Sequence, residues 1–530
     1  MSSRNNPNRV IIEWPTEQGP LPFDCLVCIC EYLLPEDLVE FMLACREFYH
    51  VARTGRLWRL HCLHRWVVCG LLLVEDGTDR WRRYYVKRRR LDNHMEEGHP
   101  VRDYTAESLR EHDGFITDFI YIKSIDINYD GMMPQTLASY DRDGGIIGWD
   151  VNKGFHLWKG KTSPKHAAIA NSPDGTLLLY PSQTSDSICF TSTQDWRLSE
   201  KHGIKLPAMS VPPNTTVYVT SLMYARISNR NLPKLYLLVG RGANTEYSRV
   251  EIWNPEEQNP AGPLAMLDTT GLMPTKLQLS TNGVLAVSGD RNYVDSFSPD
   301  VKIWDLTVLK VDGSLIKEDI LIRSRKDVMN IQWWVGLCGV LAIGATGEEG
   351  ITVWELQPYI DQIKAKQRAK KPPHTAAATP FGTKQTISLP YTSASQAVKN
   401  FNTYETFCPM ASTRHYLLFA GGGDNRLHLL APGESVPLAV VVEHRLPITG
   451  VVATDFGVFT CSRDYSVRVY KWNETKLGEA PSLESLYSLL GGSQMYHSHP
   501  DGYGFCAIGH NYNSVAAVCG SKIKAYIFNK

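Results

Sequence analysis

The chain has 530 residues, 43% hydrophobic and 10% aromatic, with 55 basic and 55 acidic side chains; this exceeds one ordinary core and excludes a disordered, collagenous or disulfide-scaffold protein. Zero formal net charge supplies no global field for nucleic acid or anionic membrane. The longest apolar stretch, Val67 to Val74, is about half a membrane span, and the start MSSRNNPNR lacks a secretory apolar core, so a cytosolic or nuclear protein is expected.

Residues 1–19 read as a flexible N-terminus. In residues 20–62, Leu26, Ile29 and Leu33 recur at helical spacing, and Leu38, Phe41, Met42 and Cys45 repeat the pattern, which predicts two short helices. Pro22 suits the start of the first and Pro35 the first turn of the second, where a missing N–H costs nothing. Gly55 breaks the pattern before Leu57 and Trp58. Cys25, Cys28 and Cys30 have short thiolate spacing, but they lie inside the first helix with no second CxxC or HxxxH to complete four ligands, so neither metal nor other cofactor is expected. In the reducing setting the twelve cysteines are read as free thiols. Residues 63–110 read as a helical linker, with Trp66, Trp81, Tyr84 and Tyr85 on amphipathic helices. Its cationic run, Arg80 to Arg90, is read as a solvated helix face, with attraction to an acidic surface or a nuclear signal as the alternatives.

From about residue 111 to the end, short alternating strands replace the helical period. Val301-Lys302-Ile303-Trp304 has counterparts ending at Trp149, Trp253, Trp354, Leu430, Tyr470 and Tyr526, with a weaker one at Phe190. Two apolar residues flank a polar one and, in most copies, an aromatic follows, as in a strand with one buried face. The shortest intervals match a four-stranded propeller blade of about 40 to 45 residues. Eight copies favour eight blades, with seven the alternative. The last copy's outer strand would come from about residues 112 to 122 and close the ring. Residues 357–400 form the longest insertion, read as a surface excursion with basic Lys364, Lys366, Arg368, Lys370 and Lys371 and a Thr379-Pro380 pair.

Leu21-Pro22, Leu26, Ile29, Tyr32-Leu33, Pro35, Asp37-Leu38, Cys45-Arg46, Phe48, Ala52 and Leu57-Trp58 resemble the F-box in order and spacing. His444, Thr460, Ser462, Asp464 and Tyr470 resemble a WD repeat, as do Ser139, Asp143 and Trp149-Asp150, and Val301 to Leu306. The expected architecture is therefore α+β multidomain: an all-α F-box and helical linker, then an all-β WD-repeat propeller. The resemblance implies a substrate-receptor subunit of an SCF-type cullin ubiquitin ligase, non-catalytic itself, whose F-box binds a Skp-type adaptor and whose propeller captures a protein substrate. The rival is an F-box and WD-repeat interaction scaffold with a ligase-independent role.

By position, Leu21, Pro22, Leu26, Ile29 and Leu33 are the expected adaptor-facing set, while Phe48 and Trp58 knit the helices together. Blade-face loops are the usual recognition surface. Arg142 and Arg463 each precede the repeat aspartate, and Arg241, Arg291 and Arg426 lie in comparable turns. A guanidinium there suits a phosphorylated or acidic motif through paired charge-assisted hydrogen bonds. His444, Thr460 and Asp464 are read as a blade brace, not a catalytic triad. No GxxxxGK[ST], GxSxG or HExxH pattern occurs, and His497 and His499 are read as loop residues.

Overall fold

The computed structural model describes residues 21–528 apart from 66–79, 123–135, 165–167, 197–202, 230–231, 258–259, 281, 290–300, 309–311, 323–327, 334–339, 346–350, 357–383, 388–408, 414–415, 421–424, 432–435, 455, 474–481, 491–503 and 512. The chain forms two compact units, Met1–Asn93 and His94–Lys530.

The first unit is helical: α1 (Phe23–Cys30), α2 (Pro35–Ala44), α3 (Arg46–Ala52), α4 (Gly55–Arg65) and α5 (Arg80–Glu97), whose last residues from His94 belong to the second unit. Residues 20–62 thus hold more helices than the two expected, because Cys45 is extended at φ −157° and separates α2 from α3. Its sulfur accepts the Phe48 N–H and caps α3. Gly55 opens α4 instead of ending a helix. Leu26, Val27, Cys30, Leu38, Val51, Ala52 and Leu57 make the core, with Phe41 and Phe48 stacked at its edge, ring centroids 4.0 Å apart. Trp58 is buried against Cys62, Trp81 and Tyr85, and its indole N–H donates to the Ala52 carbonyl at 2.7 Å. Phe48 and Trp58 therefore knit the helices as expected. Along α5, Trp81, Tyr85, Arg88 and Asp92 are buried on one side, an amphipathic pattern.

In the second unit the described strands make eight sheets, each with four antiparallel strands; the sheet that begins at Tyr218–Asn229 carries a fifth, Leu315–Ile316, paired in parallel at its outer edge. The innermost strands, in chain order, are Ile116–Ile122, Ala170–Asn171, Tyr218–Asn229, Lys276–Leu279, Val328–Trp333, Met410–Ser412, Ile448–Ala453 and Ala507–Asn511. Each touches the next, and the last touches the first, so the sheets close into a propeller ring. The sheets are numbered one to eight in that order. The repeated sequence segment is the third strand of every sheet, and its Trp149, Trp253, Trp304, Tyr470 and Tyr526 are among the largest fully buried side chains. Hydrophobic clusters form between adjacent sheets, as where Ile116 and Trp149 of sheet one meet Ala516 and Ile523 of sheet eight. Burying the faces of neighbouring sheets against one another this way gives the ring a series of inter-sheet cores.

Two strands differ from expectation. The ring is closed by Thr105–Leu109, which pairs with Lys522–Ile527, whereas residues 112 to 122, expected to do this, supply the innermost strand of sheet one. Within the insertion, Lys384–Ile387 is the outer strand of sheet five, paired with Ile351 to Trp354. Lys364 to Lys371 and Thr379-Pro380 lie outside the described residues. Among the described residues, no helix is long and apolar enough to cross a membrane.

Candidate recognition surfaces

Leu21 and Pro22, just before α1, and Phe23 and Ile29 on it face outward, with Leu21, Phe23 and Ile29 39%, 52% and 46% exposed. Leu26 points the other way, into the core, and Leu33 is half-buried against it. The sequence expectation is corrected for Leu26: a side chain 6% exposed and packed among Val27, Leu38 and Leu57 cannot also present itself to a partner. Cys25 and Cys28 are exposed while Cys30 is buried, and burial pushes its thiol up to about 11. Cys25 and Cys28 lie one turn apart on the exposed side while Cys30 faces the core, so the three thiols do not converge on an ion. Among the described residues, no group of three or more potential ligands could hold a metal.

The propeller's second-to-third-strand turns carry two of the predicted arginines. In sheet one the turn is braced by His112, which neither motif nor spacing had singled out. Burial, partly offset by Asp141, holds its imidazole below the usual histidine range. A neutral ring fixes the proton order: Trp149 Nε1–H donates to Ser139 Oγ at 2.8 Å, Ser139 to His112 Nε2 at 2.7 Å, and His112 Nδ1–H to Asp141 at 2.7 Å. Asp141 also accepts the Asp143 and Gly145 N–H groups. In sheet seven His444 lies 2.7 Å from Thr460 Oγ1 and 3.0 Å from Asp464. Burial would raise the Asp464 carboxyl, but hydrogen bonds from His444 and Ser466 and the Arg445 N–H hold it well below the usual range.

The braces thus use different aspartates. Counting from the third-strand aromatic, Asp464 corresponds to Asp143, yet the carboxylate that bonds the histidine in sheet one is Asp141, two residues earlier. Asp143 is exposed and is not the repeat aspartate that the pattern suggested. The sequence signal for His112 is diluted because it lies 27 residues before Ser139, against 16 from His444 to Thr460.

Arg142 and Arg463 nevertheless occupy equivalent turns. Each is followed two residues later by a left-handed residue, Gly144 at φ +81° and Tyr465 at φ +62°. Each backbone N–H donates to the carbonyl just before its sheet's innermost strand, Phe115 and Pro447. Arg142 is exposed, with its guanidinium 5.9 Å from the Phe115 ring centroid, and Arg463 is half-buried. One further turn, between Cys519 and Lys522 in sheet eight, lies between them. The Ser462 carbonyl accepts from Phe505 and that of Gly520 from Ile116, so the three turns follow one another along one rim.

The other arginines are placed differently. Arg241 is 3% exposed and points inward. It donates to Glu251 at 2.8 Å and to the Pro207 carbonyl at 2.9 Å. Glu251 also accepts from Arg249 and from the Trp253 indole, so this ion pair occupies the place of the histidine brace in sheet three, and the expected substrate role of Arg241 is corrected. Arg426 begins the third strand of sheet six, opposite Val442, and is half-buried. Arg291, His497 and His499 lie outside the described residues.

The F-box-like family model matches residues 20–64. The mouse protein F-box/WD repeat-containing protein 15 is 21% identical over 145 residues, 27% of this chain and 31% of that relative's length. Among solved structures, the computationally designed Ika8 protein aligns with 13% identity and a TM-score of 0.48, covering 79% of this chain and 98% of the other. The WD40 β-propeller domain of Doa1 aligns with 10% identity and a TM-score of 0.38, covering 81% and 97%. Likenesses this loose carry no argument, and the propeller assignment rests on the ring of paired sheets.

Proposed function

We propose that this chain, an F-box and WD-repeat protein, is the substrate-recognition subunit of an SCF-type cullin ubiquitin ligase in the cytosol or nucleus. The observation that carries the reading is the outward apolar surface at α1 and the residues that lead into it, Leu21, Phe23 and Ile29, in the same chain as a closed propeller. So small a helical unit buries little surface of its own, and covering that face with a partner gains about 25 cal/mol per Å² of apolar area. A Skp-type adaptor would occupy it through Leu21, Pro22 and Ile29, with Leu33 at the margin. The rim carrying Arg142 and Arg463 would hold an acidic or phosphorylated motif of the substrate through charge-assisted hydrogen bonds. The bond-making chemistry would belong to partner subunits, with this chain raising the local concentration of substrate.

The test is capture from cell extract with tagged full-length protein, followed by ubiquitination of a captured client in a reconstituted complex. Leu21→Ser with Ile29→Ser should lose adaptor and cullin while keeping clients, and Arg142→Glu with Arg463→Glu should do the reverse. Adaptor capture without client ubiquitination would favour the ligase-independent scaffold. Failure of the wild type to capture the adaptor would reject the receptor reading.

A further inference from the structure

The cationic run of α5 flanks an apolar groove. Within the helical unit a cavity of about 420 Å³ opens between α2 and α5, within the range of small binding sites. Its apolar wall is Val39, Met42 and Leu43 of α2, closed by Val86 of α5. Three of these are unusually open to water: Leu43 is 75% exposed, Val39 49% and Val86 41%. The opposite bank carries Arg82, Arg83, Lys87 and Arg90, and among the described residues no carboxylate lines the groove. Arg83, Lys87 and Arg90 recur at i, i+4 and i+7, which sets positive charge along one side of α5 for about 10 Å. These residues are separate from the Leu21, Pro22 and Ile29 face used above.

A solvated helix face would not leave leucine and valine open beside the charges. A membrane surface would also attract the cations, but a concave groove between two helices fits a third helix better than a flat bilayer. We propose that this groove seats an amphipathic helix of a partner protein, with apolar side chains entering between α2 and α5 and a flanking stripe of aspartate or glutamate facing Arg83, Lys87 and Arg90. The apolar contacts supply affinity, and the charge stripe sets direction and register.

The test uses the full chain and a fluorescein-labelled helical peptide bearing leucine at i, i+3, i+4 and i+7 and glutamate along one flank, followed by fluorescence anisotropy. Binding should weaken at least tenfold when the peptide's glutamates become lysines, when Arg83→Glu and Lys87→Glu are combined, and when Leu43→Ser is made. The lysine peptide should recover binding on the charge-reversed protein, a rescue that misfolding could not produce. Arg82→Glu with Arg90→Glu gives a second charge reversal should the first variant unfold. Adaptor capture, measured alongside, should persist in both reversals, and peptide binding should persist in Leu21→Ser with Ile29→Ser, which separates failure here from failure of the receptor reading. No binding, or equal binding of acidic and basic peptides, would overturn the proposal. So would binding to anionic vesicles but not to the acidic peptide. A photoreactive label at Val86→Cys that crosslinks residues 66–79 of the same chain, unchanged by added peptide, would overturn it in favour of that segment as the occupant.

Discussion

Arg241 and Glu251 form a 2.8 Å ion pair inside sheet three, their side chains 4% and 0% exposed. Glu251 holds the Trp253 indole and Arg249 as well, so the pair is the centre of a buried network. Removing one partner of such a pair leaves an unmatched buried charge, at a cost of about 3 to 5 kcal/mol. Arg249 remains beside Glu251, which places Arg241→Ala at the lower end of that range, read by chemical denaturation. Client capture per folded molecule should not change, whereas the Arg142→Glu, Arg463→Glu variant should lose clients with little loss of stability.

The two aspartates of sheet one should separate cleanly. Asp141→Asn weakens a charge-assisted bond to buried His112 and should cost about 1.5 to 3 kcal/mol. Asp143→Asn should stay within about 0.5 kcal/mol, as for surface changes. Equal effects in denaturant titrations would return the brace to Asp143.

His112 should impose a pH slope. Its folded pKa is depressed, so below the unfolded value of about 6.5 the unfolded chain binds more protons at this site. Its contribution to stability is full above about pH 6.5 and declines as pH falls through that value toward the folded pKa. Unfolding free energies from pH 7.5 to 5.5 should fall more steeply for the wild type than for His112→Phe, although the variant is less stable throughout. Parallel curves would contradict the assignment.

Asp319 should act with the opposite sign. Burial, partly offset by the Asp305 N–H bonded at 2.8 Å, pushes its carboxyl up to about 6. The folded state then binds more protons between about pH 4 and 6, so stability from this site is present below about pH 4 and lost as pH rises through 6. Asn keeps an acceptor for that N–H without the charge. Each tenfold change in proton affinity between the folded and unfolded states is worth about 1.4 kcal/mol. Asp319→Asn should therefore stabilise by about 1 to 3 kcal/mol at pH 7.5 and by nearly nothing at pH 4. A gain independent of pH would point to packing instead of charge.

On α1, Leu26→Ala should cost about 2 to 5 kcal/mol as a core truncation. Leu21→Ser and Ile29→Ser should unfold with the wild type in thermal melts. The segment around α1 then tests burial and exposure separately, since only the Leu21 and Ile29 changes are proposed to lose the adaptor without losing the fold.

Much of this protein is local in origin and was legible in the chain. Alternation marked the third strand of every sheet, with a terminal aromatic in all but sheet six, Pro35 marked the start of α2, and the apolar period around Leu26 and Leu38 marked the helical unit. These follow from side-chain period and backbone propensity, which act over a few residues. Other features depended on partners far along the chain. Thr105–Leu109 closes the ring by pairing with a strand more than four hundred residues later, and nothing in TAESL names that partner. Asp141 took the histidine because the turn's fold brought it within reach of His112. Arg241 turned inward because Glu251, on the neighbouring strand two residues beyond its register partner Arg249, offered it a buried carboxylate. Leu26 and Ile29 share one helix and one hydrophobic period, and only the packing of α1 against α2 and α3 decided which met the core and which met water. Side-chain period sets which residues can share a face, while burial is decided by what packs against that face, a property of the whole fold.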